Sequence, residues 1–250
     1  MEAIRYTLVT GGARRIGGAI VRRLAEAGHD VAIHAHRSRE AAEALSGEVR
    51  AAGRSALVLF ADLSDPAEAD RLADELLRVA PPRGLVNNAA VWSRTPLGSV
   101  DPSAWRATMA VNLEAPFRLA QKIGPAMKAA GGGAIVSLTD WAAEHPYAGF
   151  APYVVSKAGL SALTRALARD LAPEVRVNAL ALGPTLPSEN RGTSPAEAAI
   201  ERVPLGRIGE SADVAEAVRF LLDDASYMTG EIVPMDGGRH LVPAGVSCGS

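Results

Sequence analysis

The chain has 250 residues, of which 48% are hydrophobic and 22% are charged, and its formal net charge at pH 7 is −2. This length and composition are typical of one globular domain with a substantial core, and the near-neutral charge argues against a dedicated nucleic-acid surface. The only cysteine, Cys248, excludes a disulfide framework and argues against a thiol nucleophile. No apolar run reaches transmembrane length, and the first residues enter a strand pattern that leaves no room for a signal peptide, so we expect a cytoplasmic protein.

Short apolar runs alternate with helical patterns along the chain. The runs predict seven strands, at 4–10, 30–35, 55–61, 84–89, 134–139, 175–182 and 231–235. Helical spacing predicts helices over 16–28, over 38–53, after Asp65–Pro66, from about 102 to 127, and around Tyr153 and Lys157. The strands are nearly continuous apolar runs, as expected for parallel strands that are buried on both faces.

This alternation predicts an α/β fold. We expect a single-domain, Rossmann-type, doubly wound parallel sheet of about seven strands, with helices on both faces, over residues 1–250. The least regular region, about 183–210, follows the sixth strand. Ligands bind beyond the carboxyl ends of strands in this architecture, so we interpret this region as a lid over the substrate. An ordinary surface loop is the alternative.

The segment TGGARRIG (10–17) joins the first strand to the first helix. Its glycines at 11, 12 and 17 allow a tight turn and bring backbone N–H groups close to a pyrophosphate at the positive end of the helix. A glycine-rich turn in this position predicts a dinucleotide site. A tight turn with no ligand is the alternative.

Two features favour NADP(H) over NAD(H). Arg15 replaces the middle glycine of the usual pattern and brings a cation beside the phosphates. The second strand ends in HAHRS (34–38), where Arg37 and the hydroxyl of Ser38 can bind a 2′-phosphate that a carboxylate would repel. A solvated arginine and a helix-capping serine are the alternative. Asp62, after the third strand, is placed either to meet the adenine edge or to cap the next helix.

Tyr153 and Lys157 lie four residues apart and therefore share one face of a helix. An enzyme that transfers hydride must also move a proton, and a tyrosine can supply it if its pKa falls from its usual value of about 10 toward neutrality. A neighbouring ammonium lowers the pKa by favouring phenolate, and it could also hydrogen-bond the nicotinamide ribose. Such pairs are common on helix surfaces, so this one gains its weight from the nucleotide signature.

Six motifs then stand together: TGGARRIG (10–17), NNAA (87–90), Asn112 in MAVNLEAPF, YVVSK (153–157), LGPT (182–185) and TGEIVPMDGG (229–238). With them the chain resembles the short-chain dehydrogenase/reductase family over essentially its full length. The resemblance implies that Asn88 shapes the cofactor site and that Asn112 holds a water in a proton relay to Lys157. A buried asparagine that satisfies its own backbone kink is the alternative for either residue. The resemblance also implies a homotetramer, with the helix at 102–127 and the Tyr153 helix packing between subunits.

One position departs from the family. A serine usually lies thirteen residues before the tyrosine, and this chain has Asp140 there, with Ser137 three residues too early. An ionised carboxylate in a poorly solvated pocket would repel the alkoxide that develops when a ketone is reduced. Asp140 therefore favours a substrate that offers N–H donors and takes its proton on nitrogen during reduction of a C=N bond.

Within the family, the chain is similar to the pteridine reductases and the bacterial dihydromonapterin/dihydrofolate reductases. The shared features are Arg15, HRS (36–38), Asp140, an aromatic residue shortly after the NNA motif, here Trp92, and DGGRHL (236–241). The similarity implies that Trp92 stacks on a pterin, for which core filling is the alternative. Ala90 replaces a serine of some pteridine reductases, and 185–205 is not diagnostic. Trp141 is placed either to line the pocket or to cover the strand end.

The sequence therefore predicts an NADPH-dependent reductase of dihydropterin or dihydrofolate-like substrates. A carbonyl reductase such as 3-oxoacyl-ACP reductase is the first alternative, and a catalytically silent NADPH-binding regulator is the second.

No metal site is predicted, because His29, His145 and His240 have no ligand spacing, while His34 and His36 alternate along one strand at the cofactor edge. The predicted catalytic residues are Asp140, Tyr153, Lys157 and Asn112; the substrate residues are Trp92, Asp140 and Tyr153; the cofactor residues are Gly11, Arg14, Arg15, Ile16, Gly17, His36, Arg37, Ser38, Asp62, Leu63, Asn88, Ala89, Lys157, Gly183 and Pro184.

Overall fold

The computed structural model describes residues 4–185 and 200–242. Within them, one seven-stranded sheet has the order β3-β2-β1-β4-β5-β6-β7, and every neighbouring pair is parallel. The strands are β1 Tyr6–Val9, β2 Asp30–Ala35, β3 Ala56–Phe60, β4 Gly84–Asn87, β5 Gly133–Asp140, β6 Val175–Leu182 and β7 Ile232–Met235. The chain proceeds outward from β1 in one direction and from β4 in the other, so a crevice forms between the carboxyl ends of these two strands.

Helices cover both faces of this sheet. They are α1 Arg15–Glu26, α2 Arg39–Ala51, α3 Pro66–Val79, α4 Pro102–Met109, α5 Ala115–Ala129, α6 Ala151–Leu171 and α7 Ser211–Asp223. Consecutive strand residues face opposite sides: Val9 packs in a core beneath α1, α2 and α7, and Leu8 packs in a second core beneath α3, α5 and α6. The predicted α/β class and strand number are confirmed.

The helix expected from about 102 to 127 is interrupted. A π-helical turn, Ala110–Glu114, separates α4 from α5, and the N–H of Ala115 bonds to the carbonyl of Ala110. Pro116 has no N–H to donate to the carbonyl of Asn112, so the regular hydrogen-bond ladder cannot continue through this turn. Such wider turns are frequently found at functional sites, and this one carries Asn112.

One helix was not predicted. This helix is α7, in which Val214, Val218 and Leu221 lie at helical spacing and are all buried. Glu210 and Asp213 form a reciprocal capping box at its start. The preceding irregular sequence obscured this signal.

None of the helices in the described part of the chain has the length and apolarity needed to cross a bilayer.

Arg176 on β6 holds the end of α7. Its guanidinium donates to the carbonyls of Leu221 (2.7 Å), Leu222 (2.6 Å) and Ala225 (3.0 Å). The last carbonyls of a helix have no partner within the helix, and a cation there is also attracted by the negative end of the helix dipole.

Replacing Arg176 with methionine should therefore lower the free energy of unfolding by about 2–3 kcal/mol, because partly buried carbonyls lose charged donors. Urea denaturation measures the change, and Arg78→Met, which removes an exposed arginine from the last turn of α3, is the control. Equal effects of the two substitutions would contradict the capping role.

Candidate active site

A cavity of about 1520 Å³ opens at the carboxyl ends of the strands. Its walls come from the turn after β1, the end of β2, and the loops that follow β3, β4, β5 and β6. Sites for one small molecule usually enclose about 300–1,000 Å³. The cavity therefore has room for a dinucleotide and a second small molecule.

The turn after β1 fits a pyrophosphate. Gly11 has a φ of +60°, and a Cβ at Gly17 would lie only 2.1 Å from the carbonyl oxygen of Gly11. The Asn88 side chain donates to the carbonyls of Thr10 (2.8 Å) and Gly11 (3.1 Å) and so ties this turn to the end of β4. Any side chain at residue 17 would open the turn. The role of Asn88 in shaping a cofactor site stays a prediction.

Arg15, the first residue of α1, has a φ of +52°. This left-handed region suits glycine, and a side chain there costs on the order of 1–2 kcal/mol. The residue lines the cavity in spite of that cost. Strain retained at a ligand cavity is a reason to look for a binding role.

His34 connects the glycine turn to the neighbouring strands. Its Nδ1 accepts a hydrogen bond from the N–H of Gly11 (3.0 Å), and its Nε2 lies 3.1 Å from the carbonyl oxygen of Ala61. These two bonds require the neutral ring with its hydrogen on Nε2. Burial lowers the pKa of His34 to about 4, against a smaller opposing effect of the Ala61 carbonyl.

The residues expected around the 2′-phosphate line one end of the cavity. Ser38 is at the N-cap of α2 without a capping hydrogen bond from its side chain. Asp62 does not cap α3, since that position belongs to Asp65, whose carboxylate accepts from the N–H of Ala67. Asp62 instead accepts from the backbone and hydroxyl of Ser64, which lower the pKa of this carboxyl.

Asp140 meets Tyr153 at the other end. The Tyr153 hydroxyl donates to Oδ2 of Asp140 (2.7 Å), and Oδ1 accepts from the N–H of Ala142 (2.8 Å). Both side chains line the cavity. Ser137 is buried and accepts a hydrogen bond from the Asn87 amide (3.1 Å), so it does not take the place of Asp140.

The pKa of Tyr153 differs from the sequence-based expectation. Burial, and next the charge of Asp140, raise the pKa of Tyr153 well above its usual value. Burial lowers the pKa of Lys157 to about 8, and its Nζ donates to the carbonyl of Leu138 (2.7 Å) and lies 5.8 Å from the centre of the Tyr153 ring. The prediction that Lys157 lowers the pKa of Tyr153 is therefore wrong for this arrangement, in which the phenol is protonated. Burial also raises the pKa of Asp140, against the opposing hydrogen bond from Tyr153.

Asn112 lies behind the cavity wall. Its side chain bonds both the N–H and the carbonyl of Val91 (2.8 and 2.9 Å), and its amide also donates to the hydroxyl of Ser156 (3.0 Å). The alternative that it satisfies its own kinked backbone is wrong, since its partners lie on the loop after β4 and on α6. Its role in a proton relay stays a prediction.

Aromatic residues form one wall. Trp92 stacks on Phe150 with 4.7 Å between ring centres and meets Tyr153 edge-on at 6.5 Å. Tyr147 contacts Phe150 at 6.0 Å and Trp141 at 5.9 Å, and it accepts a hydrogen bond from the Trp141 indole. These five rings are nearly half of the aromatic residues in a chain that has three tryptophans, four tyrosines and four phenylalanines. Trp92 is 38% exposed, so it does not fill the core, and Trp141 lines the cavity.

Comparison with known proteins identifies the family. Residues 11–240 match the family model described as enoyl-(acyl carrier protein) reductase. The chain belongs to the short-chain dehydrogenase/reductase family. It is 34% identical to the 3-oxoacyl-(acyl-carrier-protein) reductase FabG of Staphylococcus epidermidis, over 95% of this chain and 99% of the relative.

Two solved structures are also similar to this short-chain dehydrogenase/reductase. FolM alternative dihydrofolate reductase 1 from Brucella canis, complexed with NADP, is 37% identical with a TM-score of 0.87, over 96% of this chain and 95% of that one. A blue fluorescent protein from a metagenomic library, in complex with NADPH, is 36% identical with a TM-score of 0.86, over 94% and 97% of the two chains. As a family member, the chain is a nicotinamide-nucleotide-dependent oxidoreductase.

The structure brings most of the residues predicted for the site of this short-chain dehydrogenase/reductase to one cavity. The substrate and cofactor residues named from the sequence all line it except Lys157, which lies beneath Tyr153, and the catalytic residues line it except Lys157 and Asn112. Thr185 forms a bridge with Gly209 at the base of the expected lid, and the lid residues 186–199 lie outside the described ranges. Residues that the sequence analysis missed are Tyr147, Phe150, Arg94, Arg202 and Arg239.

No cluster that could hold a metal ion occurs among residues 4–185 and 200–242. His29 bonds Thr7 and Asp223, His240 bonds Asp236, and His145 stacks on Trp141. These histidines have structural partners of their own.

His34 should make the protein sensitive to acid. The unfolded chain binds a proton at the usual histidine pKa of about 6.5, whereas the folded chain resists protonation down to about pH 4. The unfolded state therefore binds more protons between these values, and the free energy of unfolding falls by about 2 kcal/mol from pH 7 to pH 5 on this account.

His34→Asn keeps a side-chain acceptor near the N–H of Gly11 but removes the titration. We expect this variant to lose most of that pH dependence in urea unfolding at pH 7 and pH 5, while His36→Asn, at an exposed position of the same segment, keeps it. An undiminished dependence in His34→Asn would contradict the assignment.

Proposed function

We propose that this short-chain dehydrogenase/reductase is an NADPH-dependent reductase of pterin substrates, either dihydropterins such as dihydromonapterin or dihydrofolate. The observation that carries the proposal is the hydrogen bond from Tyr153 to the Asp140 carboxylate, inside a cavity walled by aromatic rings. The similarity to a FolM dihydrofolate reductase supports it.

The cofactor half of the cavity fits NADPH. The glycine turn closes tightly around residues 11 and 17 and leaves backbone room for a pyrophosphate, while Arg15 and Arg37 line the same cavity with positive charge. The solved relatives with NADP and NADPH agree with this choice. When bound, NADPH supplies the hydride.

Asp140 selects the substrate by charge. A carboxylate accepts hydrogen bonds and repels developing negative charge, so it disfavours a ketone that becomes an alkoxide. A pterin presents amino and ring N–H groups, which a carboxylate can bind. Because burial raises the pKa of Asp140, its carboxyl binds a proton more readily than an exposed one, as a group in a proton transfer must.

Tyr153 then acts as the proton donor. The raised pKa keeps the phenol protonated, and its hydroxyl already donates to a neighbouring oxygen across 2.7 Å. Reduction of a C=N bond places hydride on carbon and a proton on nitrogen. A protonated phenol can supply that proton. Lys157, fixed on the Leu138 carbonyl beneath the ring, stabilises the phenolate that remains after the transfer.

The aromatic wall orients a flat ring. Trp92 is held by its stack on Phe150, and its loop is fixed by the bonds from Asn112 to Val91. A rigid indole gives a pterin a stacking surface at small entropic cost. Asn112 therefore fixes the loop that carries Trp92, in addition to its predicted role in a proton relay to Lys157.

A 3-oxoacyl-ACP reductase is the second candidate, and the 34% identity to FabG of Staphylococcus epidermidis favours it. Two features argue against this candidate: the charge of Asp140 disfavours a ketone that becomes an alkoxide, and the aromatic wall suits a flat ring better than an acyl chain. The catalytically silent regulator is disfavoured, because membership of an oxidoreductase family and the Tyr153–Lys157 pair both indicate catalysis.

We also propose that the protein is a homotetramer. Trp105 on α4, Phe117 on α5 and Val155 on α6 are large apolar residues with 39%, 44% and 44% exposure. They lie on the helices that the family resemblance places between subunits, where burial against a second copy would remove them from water.

The function is tested by NADPH oxidation with 7,8-dihydrobiopterin, dihydrofolate or an acetoacetyl thioester as substrate. We expect pterin turnover by the parent protein and a loss of at least about tenfold in kcat/KM for Asp140→Ser, because one charged hydrogen bond contributes about 1.5–3 kcal/mol. Asp170→Ser, an exposed change near the end of α6, is the matched control and should change nothing. Brisk thioester reduction by the parent without pterin turnover would reject pterin specificity and favour the second candidate.

The NADPH preference is tested at Arg37. Arg37→Ala should raise the Kd for NADPH about tenfold or more and that for NADH by less than about twofold, because only the 2′-phosphate needs this cation. Arg39→Ala, which removes a nearby arginine that packs over the Phe60 ring outside the cavity, is the control in fluorescence titrations. Equal weakening of both nucleotides would reject the assignment.

A further inference from the structure

Arg239 is a buried cation on the cavity wall. It begins the short 3-10 turn Arg239–Leu241 after β7, is 8% exposed and lines the cavity. Its guanidinium lies 4.6 Å from the centre of the Trp141 ring, and its Nη1 donates to the carbonyl of Val242 (2.9 Å). The aromatic wall therefore holds a positive charge beside it.

This charge has no acidic partner among residues 4–185 and 200–242. The neighbouring carboxylate, Asp236, is occupied by the N–H of Gly238 and by the backbone and ring of His240. A guanidinium has five N–H donors, and the Val242 carbonyl accepts from only one of its nitrogens. Burying a charge without a counter-charge is costly unless a ligand supplies it.

Besides Arg14, Arg15 and Arg37 at the cofactor end, Arg94 and Arg202 also line the cavity. Arg94 follows Trp92 in the loop after β4, and its Nε would lie 3.5 Å from a Cβ at Gly149, so it lies over the segment that carries Tyr147 and Phe150. Arg202 lines the cavity from the segment before α7. Arg239 contacts Trp141, and Arg94 lies beside the segment of Tyr147 and Phe150. Both arginines therefore lie with the aromatic wall, on the substrate side, and not with the glycine turn and Arg37.

The substrate side thus has two unlike charges. Asp140 at the Tyr153 hydroxyl suits the N–H groups of a ring, whereas Arg239 suits an anion beyond the ring. An arginine binds a carboxylate or a phosphate through two parallel hydrogen bonds, which gives direction as well as affinity. A ligand with a charged tail would satisfy both ends at once.

We propose, on the basis of the proposed function, that the substrate is a pterin with an anionic tail and that Arg239 binds this tail. The tail group is a carboxylate, as in the glutamyl part of dihydrofolate, or a phosphate ester. A pterin with an uncharged tail binds more weakly, since it brings no counter-charge to Arg239, which has no acidic partner among residues 4–185 and 200–242.

The test compares tails on the same ring. NADPH oxidation is measured with dihydrofolate, with 7,8-dihydroneopterin monophosphate, and with uncharged 7,8-dihydroneopterin and 7,8-dihydrobiopterin, for the parent, Arg239→Gln and Arg239→Lys. We expect Arg239→Gln to raise KM about tenfold for the anionic substrate that the parent prefers, with kcat and the KM values for uncharged pterins changed by less than about threefold. Arg239→Lys should recover part of the loss.

The control is Arg207→Gln, which removes an exposed arginine that already pairs with Asp213. It should leave every KM unchanged. Which anion the parent prefers, dihydrofolate or the phosphate ester, distinguishes a carboxylate from a phosphate tail.

A second measurement does not depend on turnover. Calorimetric titration of p-aminobenzoyl-glutamate, and separately of a simple phosphate ester, into the NADP⁺-saturated protein should show binding that Arg239→Gln removes. A parent that reduces uncharged pterins as well as anionic ones, or that binds neither tail, overturns this proposal and leaves the proposed function intact. If the parent protein turns over no pterin at all, the proposed function is rejected. The titration still shows whether Arg239 binds an anion.

A structural or cofactor role would look different. If Arg239→Gln raises KM equally for charged and uncharged pterins, or weakens NADPH binding as much as it weakens the tail, then Arg239 does not select the substrate tail and the proposal is overturned. Thermal unfolding of each variant separates these outcomes from loss of the fold.

Discussion

The hydrogen bond between Tyr153 and Asp140 determines what chemistry the site can do. A buried phenol that donates to a carboxylate is held as an acid, since ionising it would bring two negative charges within 2.7 Å of each other. Before the proton leaves, Lys157 does not outweigh this effect, because its Nζ is held by a backbone carbonyl and lies 5.8 Å from the centre of the ring. The site therefore holds the phenol in its protonated form and is poorly suited to stabilise an alkoxide.

The fold brings these two side chains together from separate elements. Asp140 is the last residue of β5, and Tyr153 is in the first turn of α6, which returns across the same sheet. The bond from the N–H of Ala142 to Asp140 fixes the carboxylate at the strand end, and the hydroxyl of Thr139, which bonds the carbonyl of Lys157, ties strand to helix. Small errors in either element would separate the donor from the acceptor, so the rigid core beneath them serves the chemistry above.

The fold and most of the residues that line the cavity could be predicted from the sequence, because both depend on local patterns. Apolar runs indicated the strands, and the spacing of Tyr153 and Lys157 indicated the helix that is predicted to carry the catalytic pair. The direction of the Tyr153 pKa could not be read from spacing, since it depends on burial and on Asp140, which meets the phenol only in three dimensions. Arg239 lies in the DGGRHL motif, but the motif does not reveal its role, because that role depends on burial without an acidic partner among the described residues.

The cavity is organised by charges that do not neutralise one another. Asp140 and Arg239 both line it, and neither pairs with the other: Asp140 accepts from Tyr153 and Ala142, while Arg239 donates to Val242 and lies over the Trp141 ring. Had evolution needed only stability, a direct ion pair or apolar residues would serve better, because isolated buried charges are costly. Separated charges instead give a bound molecule a direction, with its donors at the reacting end and its anion away from it. In the proposed function, these charges and the stacking surface of Trp92 together provide the fixed orientation that hydride transfer requires.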